Sequence, residues 1–245
     1  SLWSTIRKEN GKSSGGVRRG ICSTTINSCM DIISLGHNCS VAAMMSKAGL
    51  VITNKSAFGN MFSSDLKKFN DFIAANGSGF FELKNIERLN EWEKVPVSYT
   101  FRDNKTGIVS VHDCPLIMGK NEANAHMLKK KKPLIEDFFE IIKNSEELLL
   151  IRSNVKTTEL EESVRLHDVI SDMRSGKKFS LCVFQNRPFA DKEWGIESLE
   201  FYRSTTPSHE TNRWLYSDSW IFGVRSMCLK HGLQDVTLGM KYKSI

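Results

Sequence analysis

The sequence predicts an α/β fold, a three-layer sandwich with a mostly parallel central sheet built from βαβ units, and three observations lead to it. Short β-branched or aliphatic runs recur at DIISLG (31–36), IVSVHD (108–113), ELLLIR (147–152) and KFSLCVFQN (178–186). Segments of helical period separate them, and turn residues such as Gly36 and Gly176 close them off. Strand and helix in alternation favour a parallel sheet covered on both faces. Right-handed crossovers then bring the carboxyl ends of the strands to one rim, where α/β proteins collect their chemistry.

Taken in order, residues 1–30 read as a basic, Gly/Ser-rich tail or linker without the apolar core of a signal peptide, and residues 31–245 as one α/β domain. DIISLG is a buried strand. SVAAMMSKAGL sets Val41, Met44, Met45 and Ala48 at helical spacing, with Gly49 where a helix ends. A helix is expected over 63–77, with Leu66, Phe69 and Ile73 on one face and Asn76-Gly77 stopping it. Residues 78–107 are mixed, with turn signals from Asn104 to Gly107. The KKKK run at 129–132 reads as a solvated helix entrance, and Pro133 is expected to open the helix LIEDFFEIIKN in its first turn. Thr158 and Glu161 form a capping box for a helix over 159–174, whose apolar stripe takes in Leu160, Val164 and Ile170. The aromatic-rich part, 187–245, is expected across one edge or end of the sheet.

Composition bounds the function classes. The 245 residues carry a formal net charge of +6 and 25% charged residues, which excludes a collagen-like or wholly disordered chain. No apolar run is long enough to span a membrane. The six cysteines include no CxxC pair and read as free thiols of a reducing cytosol, so the expected location is cytoplasmic. Cys182, within FSLCVF, reads as a small core residue. No four-ligand zinc spacing is present, and neither a metal nor a cofactor is expected. GxGxxG and P-loop motifs are missing, which removes the dinucleotide and Walker readings. The Lys129–Lys132 block could meet an anionic polymer. Nucleic acid is disfavoured because no aromatic residue interleaves with that charge.

Two segments carry the candidate chemistry. In SLGHNCSVA (34–42), Cys39 follows a strand and stands at the first turn of a helix, where free backbone N–H groups and the helix dipole favour a thiolate. His37 and Asn38 flank it and could donate hydrogen bonds to a developing oxyanion. In SVHDCP (110–115), strand alternation puts Ser110 and His112 on one face and Asp113 on the other. His112, at a strand end, is the candidate general base. The residue orienting it is open between Asp113, Asn186 and Asp218. His37, Ser110, Asn60, Lys129 and Lys130 are candidate substrate-binding residues. His167 reads as a boundary residue of its helix, and His126, His209 and His231 show no partner spacing.

SLGHNCSVAAMMSKAGL, SAFGNMFSS (56–64), IVSVHDCP (108–115) and ELLLIRSN (147–154), in this order, resemble a bacterial family described as papain-like cysteine peptidases, several of them associated with surface-polysaccharide gene clusters. The resemblance spans roughly residues 31–155. It implies Cys39 as nucleophile, His112 as its base and Asp113 at the family's acidic position, and it makes a papain-like α+β arrangement the second candidate fold. Ala57-Phe58-Gly59-Asn60 stands where the family has Pro-Phe-Asp-Trp, and Cys114 replaces a Phe. The expected activity is a thiol hydrolase or acyltransferase working through a thioester, on an acylated glycan or a peptide. The rivals are a non-catalytic polyanion- or glycan-binding domain and, below it, a nucleotide-sugar transferase suggested by fold analogy alone.

Overall fold

The computed structural model describes residues 30–36, 41, 45, 57–58, 61–63, 65–89, 98–154, 159–185, 194–203 and 218–233. Two four-stranded sheets organise them. The first is parallel throughout and contains β1 (Asp31–Gly36), β6 (Glu147–Asn154), β7 (Lys178–Gln185) and β8 (Leu199–Arg203), in the order β1-β6-β7-β8. The second is antiparallel, in the order β2-β5-β4-β3, from β2 (Met61–Ser63), β3 (Ile86–Leu89), β4 (Ser98–Asp103) and β5 (Ile108–Pro115). The helices are α1 (Leu66–Ala74), α2 (Lys120–Asn144), α3 (Glu159–Arg174) and α4 (Asp218–Lys230). None of the described helices is long and apolar enough to cross a membrane.

The parallel sheet forms where the apolar runs predict it, because strands buried on both faces read as continuous hydrophobic stretches. Alternate side chains feed two clusters. Ile33, Leu35, Leu148, Leu150, Leu181 and Val183 join the larger core, which also holds α1, α2, α3 and the inner face of the antiparallel sheet. Ile32, Leu149, Ile151, Cys182 and Phe184 face the other way, onto Val41, Met45 and the α4 residues Val224 and Met227. The described residues of the C-terminal part do not simply cover an edge or end: β8 extends the sheet as its edge strand, and α4 packs on one face.

α1 and α3 form where the sequence places them. Asp65 caps α1 by accepting the Lys68 N–H at 3.1 Å. Asn76 and Gly77 end the helix with positive φ, and at Gly77 (φ +78°) an added Cβ would lie 2.6 Å from the Phe139 ring. In α3 the buried face runs through Glu159, Ser163, Leu166, His167, Ile170 and Arg174, while Leu160 and Val164 sit at its margins. Thr158 lies outside the described residues. Arg174, fully buried, donates to the carbonyls of Ile142 (2.6 Å), Ser145 (2.9 Å) and Lys178 (2.6 Å), satisfying backbone groups where α2 ends and β7 begins.

Several expectations are corrected. IVSVHD does not join the parallel sheet. β5 pairs antiparallel with β2 and β4, and the mixed stretch 78–107 supplies β3 and β4. Local composition sets a strand's propensity but not its partner, and SYTFRD and IERL lack a long apolar run. Pro133 does not open a helix; it lies inside the 25-residue α2. Buried Ala123, Met127, Lys131, Ile135, Phe138 and Ile142 recur every three or four residues across it, so one continuous buried face carries the helix past a proline costing about 3 kcal/mol. At its start, Glu122 accepts the Gly119 N–H at 3.0 Å. The KKKK run is accordingly not a solvated entrance. It occupies the middle of α2, and Lys131 is buried.

Candidate active site

The site begins where β1 ends. Ser34 pairs with Ile151 and Gly36 with Arg152, so Leu35 is an extra residue that breaks the register. Gly36 takes φ +72°, a conformation glycine adopts without a Cβ penalty, and its N–H meets the Ser34 hydroxyl at 3.3 Å. Arg152 of β6 holds this irregular end. Its guanidinium is fully buried and donates to the Leu35 carbonyl (3.4 Å), the Ser63 hydroxyl (3.0 Å) and the Ser63 carbonyl (2.8 Å). It also lies 5.2 Å from the centre of the Phe69 ring. Burial lowers its pKa to about 10, against the opposing pull of Glu159, so it stays charged at neutral pH. One side chain thus ties the end of β1 to β2, in the other sheet. This clamping role of Arg152 is hidden in the sequence, because an arginine closing a strand reads as an exposed end. The signal available was the neutral, wholly apolar LLLI run before it.

Chain continuity carries β1 into His37, Asn38 and Cys39. These three lie outside the described residues, as do Asn60 and Asn186. Asn60 directly precedes Met61, the residue paired with Ser110.

The second element is a bulge in β5. Tyr99 pairs with Cys114 and Phe101 with Ser110, so two steps on β4 match four on β5. The surplus falls at Val111-His112-Asp113, and bulges of this kind re-aim side chains. The alternation expected from the sequence is overturned here. Ser110 and Asp113 meet, with the Ser110 hydroxyl donating to the Asp113 carboxylate at 3.4 Å. His112 lies on the bulged backbone, and its side chain is outside the described part.

Asp113 is buried, and α2 supplies its countercharges. Lys130 Nζ lies 2.6 Å from one carboxylate oxygen and Lys131 Nζ 3.6 Å from the other. Burial lowers the pKa of Lys131, and Asp113 opposes the shift. Two charges of the KKKK run are therefore engaged within the fold, while Lys129 and Lys132 are exposed. Cys114, next to Asp113, is buried, and desolvation with the Asp113 charge pushes its thiol up to about 11. It is a protonated packing residue at neutral pH. Phe58 packs edge-on against Phe69 (5.2 Å) and Phe138 (5.1 Å), anchoring the segment that leads into β2.

Among the described residues, a separate group with metal-ligating atoms lies on the far side of the parallel sheet: Cys182, Glu200 and His231. His231 therefore has partners that its sequence position does not suggest. His167, expected at the boundary of its helix, is instead buried on its inner face, its Nε2 2.7 Å from the Ser198 hydroxyl.

No curated protein and no solved structure matches the chain. The family model described as "Putative papain-like cysteine peptidase (DUF1796)" matches residues 30–184. That span holds β1 with the Cys39 motif, the β5 bulge with His112 and Asp113, and the Arg152 strand, and the chain belongs to this family.

Proposed function

We propose that the chain is a cysteine-dependent hydrolase or acyltransferase in which Cys39 attacks a carbonyl and His112 moves the proton. The Cys39 thiol, deprotonated by His112, adds to the carbonyl carbon. The tetrahedral oxyanion takes hydrogen bonds from the Cys39 and Asn38 backbone N–H groups and collapses to a thioester as His112 protonates the leaving group. Water or another acceptor then resolves the thioester. Asp113 serves as a positioning residue, since its ties to Lys130, Lys131 and Ser110 anchor the bulge that carries His112. The observation carrying this reading is the family match across both the Cys39 and His112 segments. The buried, protonated state of Cys114 adds to it, because it sets aside another thiol.

The substrate class we favour is an acylated surface glycan, with a peptide as the alternative. Engagement of Lys130 and Lys131 by Asp113 weakens the rival reading as a polyanion-binding domain. The test is alkylation with iodoacetamide near neutral pH, followed by peptide mapping. Cys39 is expected to react faster than each of the other five thiols, and His112→Ala to slow it. Equal or slower reaction of Cys39 overturns the proposal. Release of acyl groups from an O-acetylated glycan, against cleavage of a peptide library, separates the two substrate classes.

A further inference from the structure

Cys182 and Glu200 are cross-strand partners on β7 and β8, so their side chains emerge side by side from the same face of the parallel sheet. His231, one residue beyond α4, is delivered onto them by that helix. The Cys182 sulfur lies 3.8 Å from a Glu200 carboxylate oxygen and 3.8 Å from His231 Nε2. His231 Nε2 lies 3.2 Å and 3.3 Å from the two Glu200 oxygens.

A zinc ion with bonds of about 2.3 Å to sulfur, 2.0–2.1 Å to imidazole and 2.0–2.2 Å to carboxylate spaces tetrahedral ligands about 3.5 Å apart for the sulfur pairs and about 3.3 Å for nitrogen and oxygen. The observed edges match these within a few tenths of an ångström. The β7–β8 register sets the thiol beside Glu200, and the turn after α4 adds an imidazole within reach of both. A nucleophilic role for Cys182 fails on access, because the residue is fully buried. Thiolate, imidazole and carboxylate together select zinc over calcium or magnesium. The surroundings fit as well. The Tyr202 hydroxyl donates to a Glu200 oxygen at 2.5 Å and fixes the carboxylate, as outer contacts of metal ligands do. Lys230, also on Glu200 at 3.0 Å, is more than half exposed and free to swing to solvent.

We propose that Cys182, Glu200 and His231 form a zinc site that fastens the end of α4 to the edge strand β8. Binding displaces the Cys182 thiol proton to solvent, uses the neutral imidazole, and leaves the fourth corner to water. The site is independent of the Cys39 reading.

The test uses the full chain, stripped with EDTA and titrated with Co²⁺ and with Zn²⁺ against a chromophoric chelator. One equivalent of zinc should bind, and cobalt should give a thiolate charge-transfer band that Cys182→Ser removes. Tyr202→Phe should weaken zinc binding by about tenfold. Circular dichroism checks folding. Should Cys182→Ser fail to fold, His231→Gln, which changes a residue at the surface turn after α4, carries the test and should lose the cobalt band. Failure to bind zinc, or a band that survives these substitutions, overturns the proposal.

Discussion

The Lys131 ammonium and the Asp113 carboxylate, both buried, face each other at 3.6 Å between the middle of α2 and the bulge of β5. A charge pair in such a place contributes little by itself, but removing one member strands the other. Asp113 has a second cation in Lys130, whereas Lys131 has Asp113 as its main opposing charge. Asp113→Ala is therefore expected to cost about 3 kcal/mol in urea unfolding and Lys131→Met about 1 kcal/mol. The reverse order would show that Asp113 is not the hub.

The same pair sets a pH dependence. Burial puts the folded-state pKa of Lys131 below the unfolded value of about 10.4. Between the two values the unfolded chain holds the proton more tightly, so stability rises with pH across that window. This contribution is complete above about 10.4 and is lost as pH falls through the lowered value. Asp113→Asn removes the cause that opposes the shift and should widen the window toward lower pH. Unfolding midpoints of Lys131→Met against the parent, from neutral pH upward, measure it.

Arg152 should behave as a clamp whose geometry matters. Arg152→Met is expected to lose about 3 kcal/mol, because it leaves buried carbonyls of Leu35 and Ser63 without a donor. Arg152→Lys should not restore it, since one ammonium cannot reproduce the forked contacts. Both variants should also slow Cys39 alkylation, because the clamped Leu35 lies just ahead of Cys39 in the chain. Unchanged alkylation with lowered stability would limit Arg152 to the fold.

Pro133 is exposed in the interior of α2. Pro133→Ala restores an N–H for the Lys129 carbonyl and is expected to raise stability by about 1–3 kcal/mol. A loss in thermal unfolding would mean that the proline fixes a bend the packing of Phe138 and Phe139 requires.

What the residues disclose in advance follows from how far each feature depends on neighbours in sequence. β1, β6 and β7 are legible because Ile33, Leu149 and Val183 sit in unbroken apolar runs, the mark of strands buried on both faces. α3 is legible from its period. β5 is legible as a strand but not in its partner, because pairing with Met61 and Phe101 rather than with β6 is decided by tertiary packing. Its bulge reverses the predicted separation of Ser110 from Asp113, which no alternation rule foresees. α2 is hidden by Pro133 and by a lysine on its buried face. Cys182, Glu200 and His231 come from three distant segments, so no spacing announces them. The SLGHNC, HD and ELLLIR motifs, by contrast, are each local in sequence, and their order carries the family resemblance.

The register of β1 against β6, Asp31 to Leu148, carries a consequence for folding order. The whole antiparallel sheet and α2 are inserted in the chain between these two strands. The β4–β5 hairpin closes through the short turn from Asn104 to Gly107, a fast event, whereas β1 must wait for β6 to be made and must close a very long loop. On this topology the central sheet is expected to be completed late, after the antiparallel hairpin has closed. The chain runs from the end of β1 into the Cys39 motif, so under the proposed mechanism the last closure of the sheet would also be the step that brings the nucleophile's strand into place.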